Sequence, residues 1–589
     1  AEDPAWREAA VAVQAAIREA TGVEVPLATD TDLSDEQAFG QSLILLGQLD
    51  NNRHVARLYN NFFVCLDTAY AGEEGYVIRS VHDPWGRGYN AILVGGSTAA
   101  GTANAAEAFA EIVADGAEGN TVTLGRQMVL AVGEEDLMTP EERDEAIAQD
   151  RETLMEPGRG RVGVARLIAH GITYFRTGDP LEGEVYRAMM HALVEYFETD
   201  PYISTEPLSR YDRDFRDAWT YRVGVLWDLL EEDDLFSDEE RVEFTNIVIR
   251  LMLECDLYQG YERKLDYWRE NTAVPHNHNT FPALGAYFIG EYALRHHPEH
   301  GPLIDRANMW LEVAEGVFRG LKHSSKPLED AASYVWLPLM HVMTYSLATG
   351  DTTWFDEGHG REAAEVAMMT MDNAGYQAAY GDHSAYTGNS AIADCIFKIA
   401  WYYRDPRILW MTEKAGGTNG HPFRQTYNVD IEPQPPTGHV GLRVAELPES
   451  AYTDGGQHSP YPTEPLVPLE DCFNKMSFRA GLDGDDAYML IDGFGRGTHM
   501  HWDANAIIRY ADGGEPLLVD GEYILNAPKY HNAMVVLRDG QSEETPAVTE
   551  LVSADETDAV SFAQTRLPQY NGAAWTRSVV WRPNDYVLG

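Results

Sequence analysis

Residues 276–295 read His-Asn-His-Asn-Thr-Phe-Pro-Ala-Leu-Gly-Ala-Tyr-Phe-Ile-Gly-Glu-Tyr-Ala-Leu-Arg, a polar cluster followed by an amphipathic segment. Apolar residues recur at three- and four-residue spacing from Phe281 onward, which predicts a helix over 281–295. Asn279 suits the N-cap of such a helix. That role explains one residue of the polar cluster and leaves His276, Asn277 and His278 as candidates for a functional site.

The same helical period extends on both sides of this segment, over residues 155–428. Helices are predicted over 162–170, 181–198, 219–230, 238–254, 281–295, 303–321, 331–347 and 390–403. Long helices joined in pairs by short loops are typical of antiparallel hairpins. We therefore expect these helices to close into an incomplete (α/α) toroid.

Different patterns flank the helical region. Residues 1–135 predict a small α/β domain, with a helix over 6–20 and strands over 42–47, 76–79 and 91–94. Its stretch from Gln41 to Ser97 resembles the accessory α/β domain that precedes catalytic domains in several glycosidases. Proline-rich residues 429–470 predict a linker.

Residues 471–589 predict an antiparallel β-sheet domain. Strand patterns cover 487–491, 506–510, 516–519, 534–537 and 578–581, and glycine-containing turns separate them. The fold class is therefore multidomain α+β. We expect this last domain to be incomplete, because the sequence stops at Gly589 just after a strand-like segment.

A second polar cluster, His499-Met-His-Trp-Asp503, opens a strand of this domain. Alternate residues of a strand share one face, so both imidazoles and the carboxylate can line one surface. Asp520 and His531 follow downstream. Together with His501 they offer two nitrogens and one carboxylate, a zinc set that needs one further ligand or water. The alternative is that these are surface histidines on an exposed sheet face.

Further candidates are more ordinary residue types. Tyr334 follows Ser333 on a predicted helix, where a tyrosine is by default a core residue. Aromatic rings on loops suit sugar stacking, and basic residues close to 276–279 suit an anionic ligand. The candidate substrate-binding residues are Arg263, Lys264, Trp268, Arg269 and Tyr386.

The net charge is −50, from 94 acidic and 44 basic residues. So strong a negative charge repels nucleic acid and anionic membranes, so we expect neither as a partner. It predicts an acidic surface adapted to high salt, where screening shortens the range of self-repulsion. The sequence begins Ala-Glu-Asp, which fits a mature secreted or periplasmic protein as well as a trimmed chain.

Together these clusters resemble the heparinase II/III-like and alginate-lyase-like polysaccharide lyases. The matching residues are Asn277-His278 at the start of a toroid helix, the later Tyr334, His499, His501 and Asp503, the strand 517–521 and His531-Asn532. The resemblance implies an (α/α) toroid joined to an antiparallel β domain. This chain departs from the family pattern in one place, since its segment between Asp520 and His531 is shorter.

By this resemblance the chain is a polysaccharide lyase that cleaves uronic-acid-containing glycans by β-elimination. Asn277, His278, Tyr334 and His499 are its implied catalytic residues, with either histidine as the base. We also expect a single divalent ion in a structural role, zinc first, with calcium or manganese as alternatives. The rival functions are a glycoside hydrolase, for which Glu329, Asp330 and Asp382 are available, and a non-catalytic glycan-binding protein.

Overall fold

The structure is a computed structural model, and it describes most of the chain. The described residues are 4–132, 137–156, 158–199, 219–383, 390–415, 423, 425–453, 467–521, 523–542, 544–583 and 586–588. Mixed α and β structure, with helices in the centre and antiparallel sheets at the C-terminal end, confirms the predicted fold class. No helix among these residues is long and apolar enough to cross a bilayer.

The N-terminal unit is an α/β layer. Its sheet has the order β1-β3-β2-β6, formed by Leu43–Leu46, Ala91–Gly96, Tyr76–Val81 and Met128–Ala131. Helices Pro4–Thr21 and Ala99–Asp115 cover one face, and short helices Asp35–Phe39 and Arg53–Asn60 complete the unit with the two-residue strands β4 (Ala117–Glu118) and β5 (Thr121–Val122). Ile78 and Val94 of the sheet pack against Phe109 of the covering helix, because alternate strand residues point to that face.

The central region is a series of helices. They are Pro140–Met155, Gly160–Thr177, Pro180–Thr199, Thr220–Leu230, Asp238–Gln259, Leu265–Glu270, Asn277–His296, Gly301–Leu321, Trp336–Thr349, Thr353–Asp356, His359–Thr370, Ser390–Tyr403 and Pro406–Lys414. Successive helices pack against each other as hairpins. Sequence-local signals set their ends: Ser237 and Glu240 form a capping box, and Gly260 ends the same helix at φ 68°.

Two antiparallel sheets form the C-terminal region. The first has the order β11-β10-β9-β8-β7, formed by Glu515–Val519, Ile507–Asp512, Tyr488–Asp492, Phe473–Arg479 and Gly441–Glu446. The second, β14 to β17, comprises Glu550–Glu556, Ser561–Tyr570, Ala573–Arg582 and Tyr586–Leu588. A small hairpin joins β12 (Leu537–Arg538) to β13 (Gln541–Ser542), and helix Glu449–Thr453 follows β7.

The inner strands β8 and β9 of the first sheet are buried on both faces, whereas the edge strand β11 is mostly exposed. On β9, Met489 and Ile491 pack with Trp581 of the second sheet. Tyr488 and Leu490 point the other way, toward Tyr380 of the helical region. This two-residue alternation joins the β-sheet region firmly to the helices.

Two expectations about boundaries differ from the structure. The predicted linker over 429–470 contains β7, the edge strand of the first sheet, whose residues Gly441–Glu446 pair with β8. The proline signals around it obscured a short strand. The predicted strand over 534–537 is reduced to Leu537–Arg538, while β8, β14 and β15 lack a clear sequence signal and were not predicted.

Buried charges connect the two regions where they meet. The Lys475 ammonium lies 2.7 Å from Asp492 and 3.5 Å from Asp330, and Lys326 lies 2.8 Å from the same oxygen of Asp330. All four side chains are at most 6% exposed. Removing one partner from such a network leaves an uncompensated charge, so the segment 326–330 is held rigidly against β8 and β9.

Candidate active site

The candidate site lies at the junction of the helical and β-sheet regions. The segment 328–330 connects its parts through backbone hydrogen bonds. The Leu328 N–H donates to the carbonyl of Pro275 (3.1 Å), and the Thr498 N–H donates to the carbonyl of Leu328 (3.1 Å). Asp330 donates its own N–H to Thr498 (3.1 Å). The polar clusters at 276–279 and 499–503 are distant in sequence, but both lie beside the segment 328–330.

Helix Asn277–His296 begins earlier than the sequence predicts. His276, not Asn279, is its N-cap, since the His276 Nδ1 accepts the N–H of His278 at 3.2 Å. Asn277 is the first helical residue and is 3% exposed. Its Oδ1 accepts the same N–H at 2.7 Å, which turns the amide NH₂ away from the helix backbone. His278 follows on the exposed side.

The sequence predicts Tyr334 within a helix, but this residue lies in the turn before helix Trp336–Thr349. Its ring stacks on His499, with 3.7 Å between the ring centroids and 8° between the planes. Its hydroxyl shares a 2.9 Å hydrogen bond with the hydroxyl of Tyr523. His278 lies 6.2 Å from His499 between ring centroids. The structure thus brings together all four candidate catalytic residues.

His499 has an unusual backbone conformation, with φ at 60°. A non-glycine residue in the left-handed region persists only where surrounding contacts hold it. One contact is the N–H of Asp382, which donates to the His499 carbonyl at 2.9 Å. Gly381 makes the close approach possible, because a Cβ there would lie 2.2 Å from the Asp330 carbonyl oxygen and 2.7 Å from that of His499.

Glu329 lies beneath these groups with no exposed surface. Its Oε1 accepts the backbone N–H of Asn277 at 2.9 Å, and its Oε2 lies 2.8 Å from Nδ1 of His499. Burial raises the pKa of Glu329, while the bond to His499 opposes the rise. The pKa of Tyr334 is also raised, first by burial and then by the hydrogen bond to Tyr523, so Tyr334 keeps its proton at neutral pH.

A second polar group begins two residues further along the same loop and also includes His531. His501, Asp503 and His531 are buried, and one ligand atom from each lies within 4.8 Å of the others. His531 Nε2 and Asp503 Oδ1 are buried and have no hydrogen-bond partner among the described residues. Two nitrogens and one oxygen at this spacing fit a divalent cation, zinc in particular.

Asp520, predicted as a ligand, is outside this group, and Asp503 takes its place. The Asp520 Oδ1 lies 2.8 Å from Nδ1 of His531 and so orients the imidazole from behind. On the other side, Asp382 Oδ1 lies 2.8 Å from Nε2 of His501. The sequence spacing did not distinguish a ligand from the carboxylate that orients a ligand.

Three of the five candidate substrate-binding residues gain no support from the structure. Trp268 is 5% exposed and offers no face to a sugar, because its side chain belongs to the hydrophobic core of the helical region. Arg269 is paired with Glu312 at 2.6 Å and with Asp266 at 3.1 Å, so its charge is already compensated. Tyr386 lies outside the described residues.

Arg263 and Lys264 remain candidates for a binding role. Both are exposed in the turn after helix Asp238–Gln259. The last residue of that helix, Gln259, donates its side-chain N–H to the carbonyl of His278 at 3.2 Å. This contact places the turn beside His278, one of the candidate catalytic residues.

Two site residues have no sequence signal. Glu329 is one of 94 acidic residues and was considered only as a hydrolase acid. Tyr523 follows the β11 strand and meets Tyr334 only through the tertiary structure.

No protein-family model matches this chain, and no curated protein matches it. Among solved structures it is similar to heparan sulfate lyase HepC from Pedobacter heparinus, with 13% identity, a TM-score of 0.43, and coverage of 76% of this chain and 68% of that one. A mutant of that lyase aligns at 12% identity and a TM-score of 0.43, and this chain spans 62% of its length. The heparinase III BT4657 gene product aligns at 12% identity and a TM-score of 0.46, covering 77% of this chain and 72% of that one. Identity this low does not carry a function from those proteins to this chain.

Proposed function

We propose that this chain is a polysaccharide lyase that cleaves uronic-acid-containing glycans by β-elimination. The observation that carries the proposal is the convergence of Asn277, His278, Tyr334 and His499, with Tyr334 stacked on His499 at 3.7 Å. An amide, two imidazoles and a phenol are suited to moving a proton from carbon to oxygen. They do not include the pair of free carboxylates that glycoside hydrolysis requires.

The first requirement of the reaction is to acidify the proton on C5 of the uronate. The Asn277 amide NH₂ donates a hydrogen bond to the substrate carboxyl group and stabilises the negative charge that develops there. Its position is fixed, because Asn277 is almost fully buried at the start of a helix and its Oδ1 is already bonded.

Proton transfer then completes the elimination. An imidazole takes the C5 proton, the C4–O bond breaks, and a double bond forms between C4 and C5. Tyr334 donates its hydroxyl proton to the departing glycosidic oxygen. The raised pKa of Tyr334 suits this role, since the group is protonated at the start of each turnover. The tyrosinate formed then regains the proton from the imidazolium or from water.

We propose a structural role for a single divalent ion, zinc first and calcium or manganese as alternatives. His501, Asp503 and His531 would hold it, with Asp520 and Asp382 orienting the imidazoles. When bound, the ion would supply electrostatic cross-linking of the loop that carries His499, and elimination needs no activated water. The two unpartnered buried atoms, on His531 and Asp503, support this assignment.

The hydrolase alternative is weakened by the state of the available acids. Glu329 and Asp330 are 0% and 1% exposed, and both are engaged in ionic hydrogen bonds. Asp382 bonds to His501 and also accepts the N–H of Ile524 at 3.1 Å. None of the three is free to protonate a leaving group or to activate water.

The proposed substrate is an anionic polysaccharide, which an enzyme meets outside the cytoplasm, so we also propose secretion or a periplasmic location. Arg263 and Lys264 beside the cluster provide a local positive charge on an otherwise acidic protein. Either that charge or salt screening must offset the repulsion between a protein of net charge −50 and an anionic polymer.

The test is a panel of uronic polymers covering heparan-type chains, chondroitin, hyaluronan, alginate and glucuronans, assayed by the ultraviolet absorbance of unsaturated ends. We expect product with a C4=C5 double bond and no oxygen from ¹⁸O-labelled water. Saturated ends that carry the label would assign the chain to the hydrolases. Binding without cleavage of every polymer would favour a glycan-binding protein.

A further inference from the structure

The Glu329 carboxylate contacts both halves of the site. Oε1 accepts the backbone N–H of Asn277, at the start of a helix, and Oε2 bonds to the ring of His499, in the β-sheet region. Both contacts are within 2.9 Å, and the side chain is completely buried. Among the described residues, its hydrogen bonds therefore go to the two residues that must face one sugar ring.

A buried carboxylate is expensive unless its charge is compensated. Asp330 next to it has two lysine partners, Lys326 and Lys475. Glu329 has no lysine or arginine within 4.0 Å among the described residues, and its compensation comes from the Asn277 N–H and the His499 ring. This difference between neighbours points to a role for Glu329 that acts through His499.

We infer that Glu329 is a positioning residue that keeps the proton of His499 on Nδ1, so that Nε2 is the atom of this ring able to accept the C5 proton. The inference rests on the proposed lyase function and assigns the base within it. A carboxylate behind one imidazole nitrogen fixes which nitrogen carries hydrogen, and the opposite nitrogen becomes the acceptor. His278, exposed at the helix start, is then left to interact with the substrate carboxyl group.

The same carboxylate sets the distance between the two halves. The Asn277 N–H lies at a helix N-terminus, where a negative charge is favourable. Because one rigid group bonds Asn277 and His499 together, the charge-stabilising amide and the base are held at a constant separation. A shift of either would lengthen a hydrogen bond to the fully buried Glu329 side chain.

The decisive variant is Glu329→Gln. The glutamine carbonyl oxygen can still accept the Asn277 N–H, but its NH₂ then faces Nδ1 of His499 and donates to it. The ring must respond by carrying its proton on Nε2, which cannot accept another. We expect kcat to fall about 10² to 10⁴-fold, the range of a lost general base, while KM changes less than about threefold, since the variant keeps every group proposed to bind the substrate.

The direct readout is the tautomer of His499. Protein labelled with ¹⁵N-histidine, held at one pH above the imidazole range, gives separate Nδ1 and Nε2 signals, and His499→Gln identifies those of His499. We expect hydrogen on Nδ1 in the wild type and on Nε2 in Glu329→Gln. Glu329→Asp keeps the charge but cannot span both partners, so its kcat should lie between those of the other two proteins.

Glu365→Gln is the matched control. Glu365 bonds to Nε2 of the buried His439 at 2.6 Å, and among the described residues neither of the two bonds to a candidate catalytic residue, so its loss should leave kcat unchanged. An unchanged His499 tautomer or a near-normal kcat in Glu329→Gln would overturn the inference. If the tautomer switches but no polymer yields unsaturated product from the wild type, the positioning of His499 stands and the lyase proposal fails.

Discussion

The loop from His499 to Asp503 serves two neighbouring clusters that are built in opposite ways. The proposed catalytic cluster takes Asn277, His278 and Tyr334 from the helical region and His499 from the β-sheet region, and its members are partly accessible apart from Asn277. The metal-type cluster takes His501, Asp503 and His531 from the β-sheet region alone, and all three are buried.

This difference suggests different functions for the two clusters. A cluster divided between two regions, with accessible rings, can receive a substrate and depends on how the regions dock. A closed cluster within one region can brace a loop but cannot meet a polymer. Changes in the first should therefore reduce turnover at constant stability, and changes in the second should reduce stability first.

The largest effect should come from Tyr334→Phe. The substitution removes the hydroxyl proton and keeps the ring that stacks on His499. We expect kcat to fall about 10⁴-fold or more, the upper range for a general acid, with circular dichroism and melting temperature almost unchanged. The measurement is kcat on the polymer that gives unsaturated product.

Tyr345→Phe is the control for Tyr334. Tyr345 is also a partly buried tyrosine, and its ring stacks on Phe318 at 4.3 Å within the helical core. It should keep normal turnover. If Tyr345→Phe lost activity and Tyr334→Phe kept it, the choice of tyrosine would be mistaken and the Asn277-His278 alignment would become suspect with it.

The next effect is that of Asn277→Ala, which removes the donor to the substrate carboxyl group. We expect kcat to fall about 10² to 10³-fold, as for the loss of one oxyanion donor. The fold should survive, because His276 caps the helix and the Asn277 backbone N–H still reaches Glu329. Asn279→Ala, two residues further along the same helix, is the control, and an equal loss in both variants would indicate helix damage.

Much of this arrangement could be predicted from sequence, for an identifiable reason. Helix and strand periods are local, so the predicted central helices and the three predicted N-terminal strands overlap observed elements. The sequence does not predict helices Pro140–Met155, His359–Thr370 and Pro406–Lys414 or strand Met128–Ala131. The residues Asn277, Tyr334 and His499 were selected because they resemble a family pattern. Their 3.7 Å stacking and shared contacts then required the tertiary structure.

What the sequence did not indicate is nonlocal. Glu329 becomes special only through burial between two regions, and nothing in its neighbourhood distinguishes it from other acids. Asp503 and Asp520 are equally plausible ligands by spacing, and only their directions separate them. Trp268 and Arg269 fit the composition of a sugar site but are engaged in helix packing and ion pairs.

A smaller effect on turnover, and a larger one on stability, should follow loss of the metal. Dialysis against a chelator or His531→Ala removes a ligand-stabilised state, and binding at about 100 times Kd is worth about 2.7 kcal/mol. At about 2–4 °C per kcal/mol for a domain of this size, the melting temperature should fall by roughly 5–10 °C. The kcat of the remaining folded protein should change less than about tenfold.

Asp520→Asn is the graded control for the metal cluster. It weakens the orientation of His531 without deleting a ligand, so its melting temperature should lie between those of wild type and His531→Ala. Elemental analysis should find one equivalent of divalent metal in the wild type. Loss of turnover on chelation at an unchanged melting temperature would reverse the division of work between the two clusters.

Salt should produce the smallest difference between the variants, because it acts on the surface charge that all of them share. At a net charge of −50, self-repulsion weakens as the screening length falls from about 30 Å at 0.01 M to about 3 Å at 1 M salt. The melting temperature should rise over this range in sodium chloride, by a similar amount in wild type, Tyr334→Phe and His531→Ala. An uncharged osmolyte at equal osmolality should produce a smaller rise, and an unchanged melting temperature would contradict adaptation to high salt.

The KM for an anionic polymer, measured over the same salt range, distinguishes screening by salt from attraction by local positive charge. A KM that falls with salt means that screening admits the substrate, whereas a KM that rises means that Arg263 and Lys264 attract it. In the second case Lys264→Gln should raise KM at low salt and leave kcat unchanged, because the residue would act before the substrate reaches the catalytic cluster.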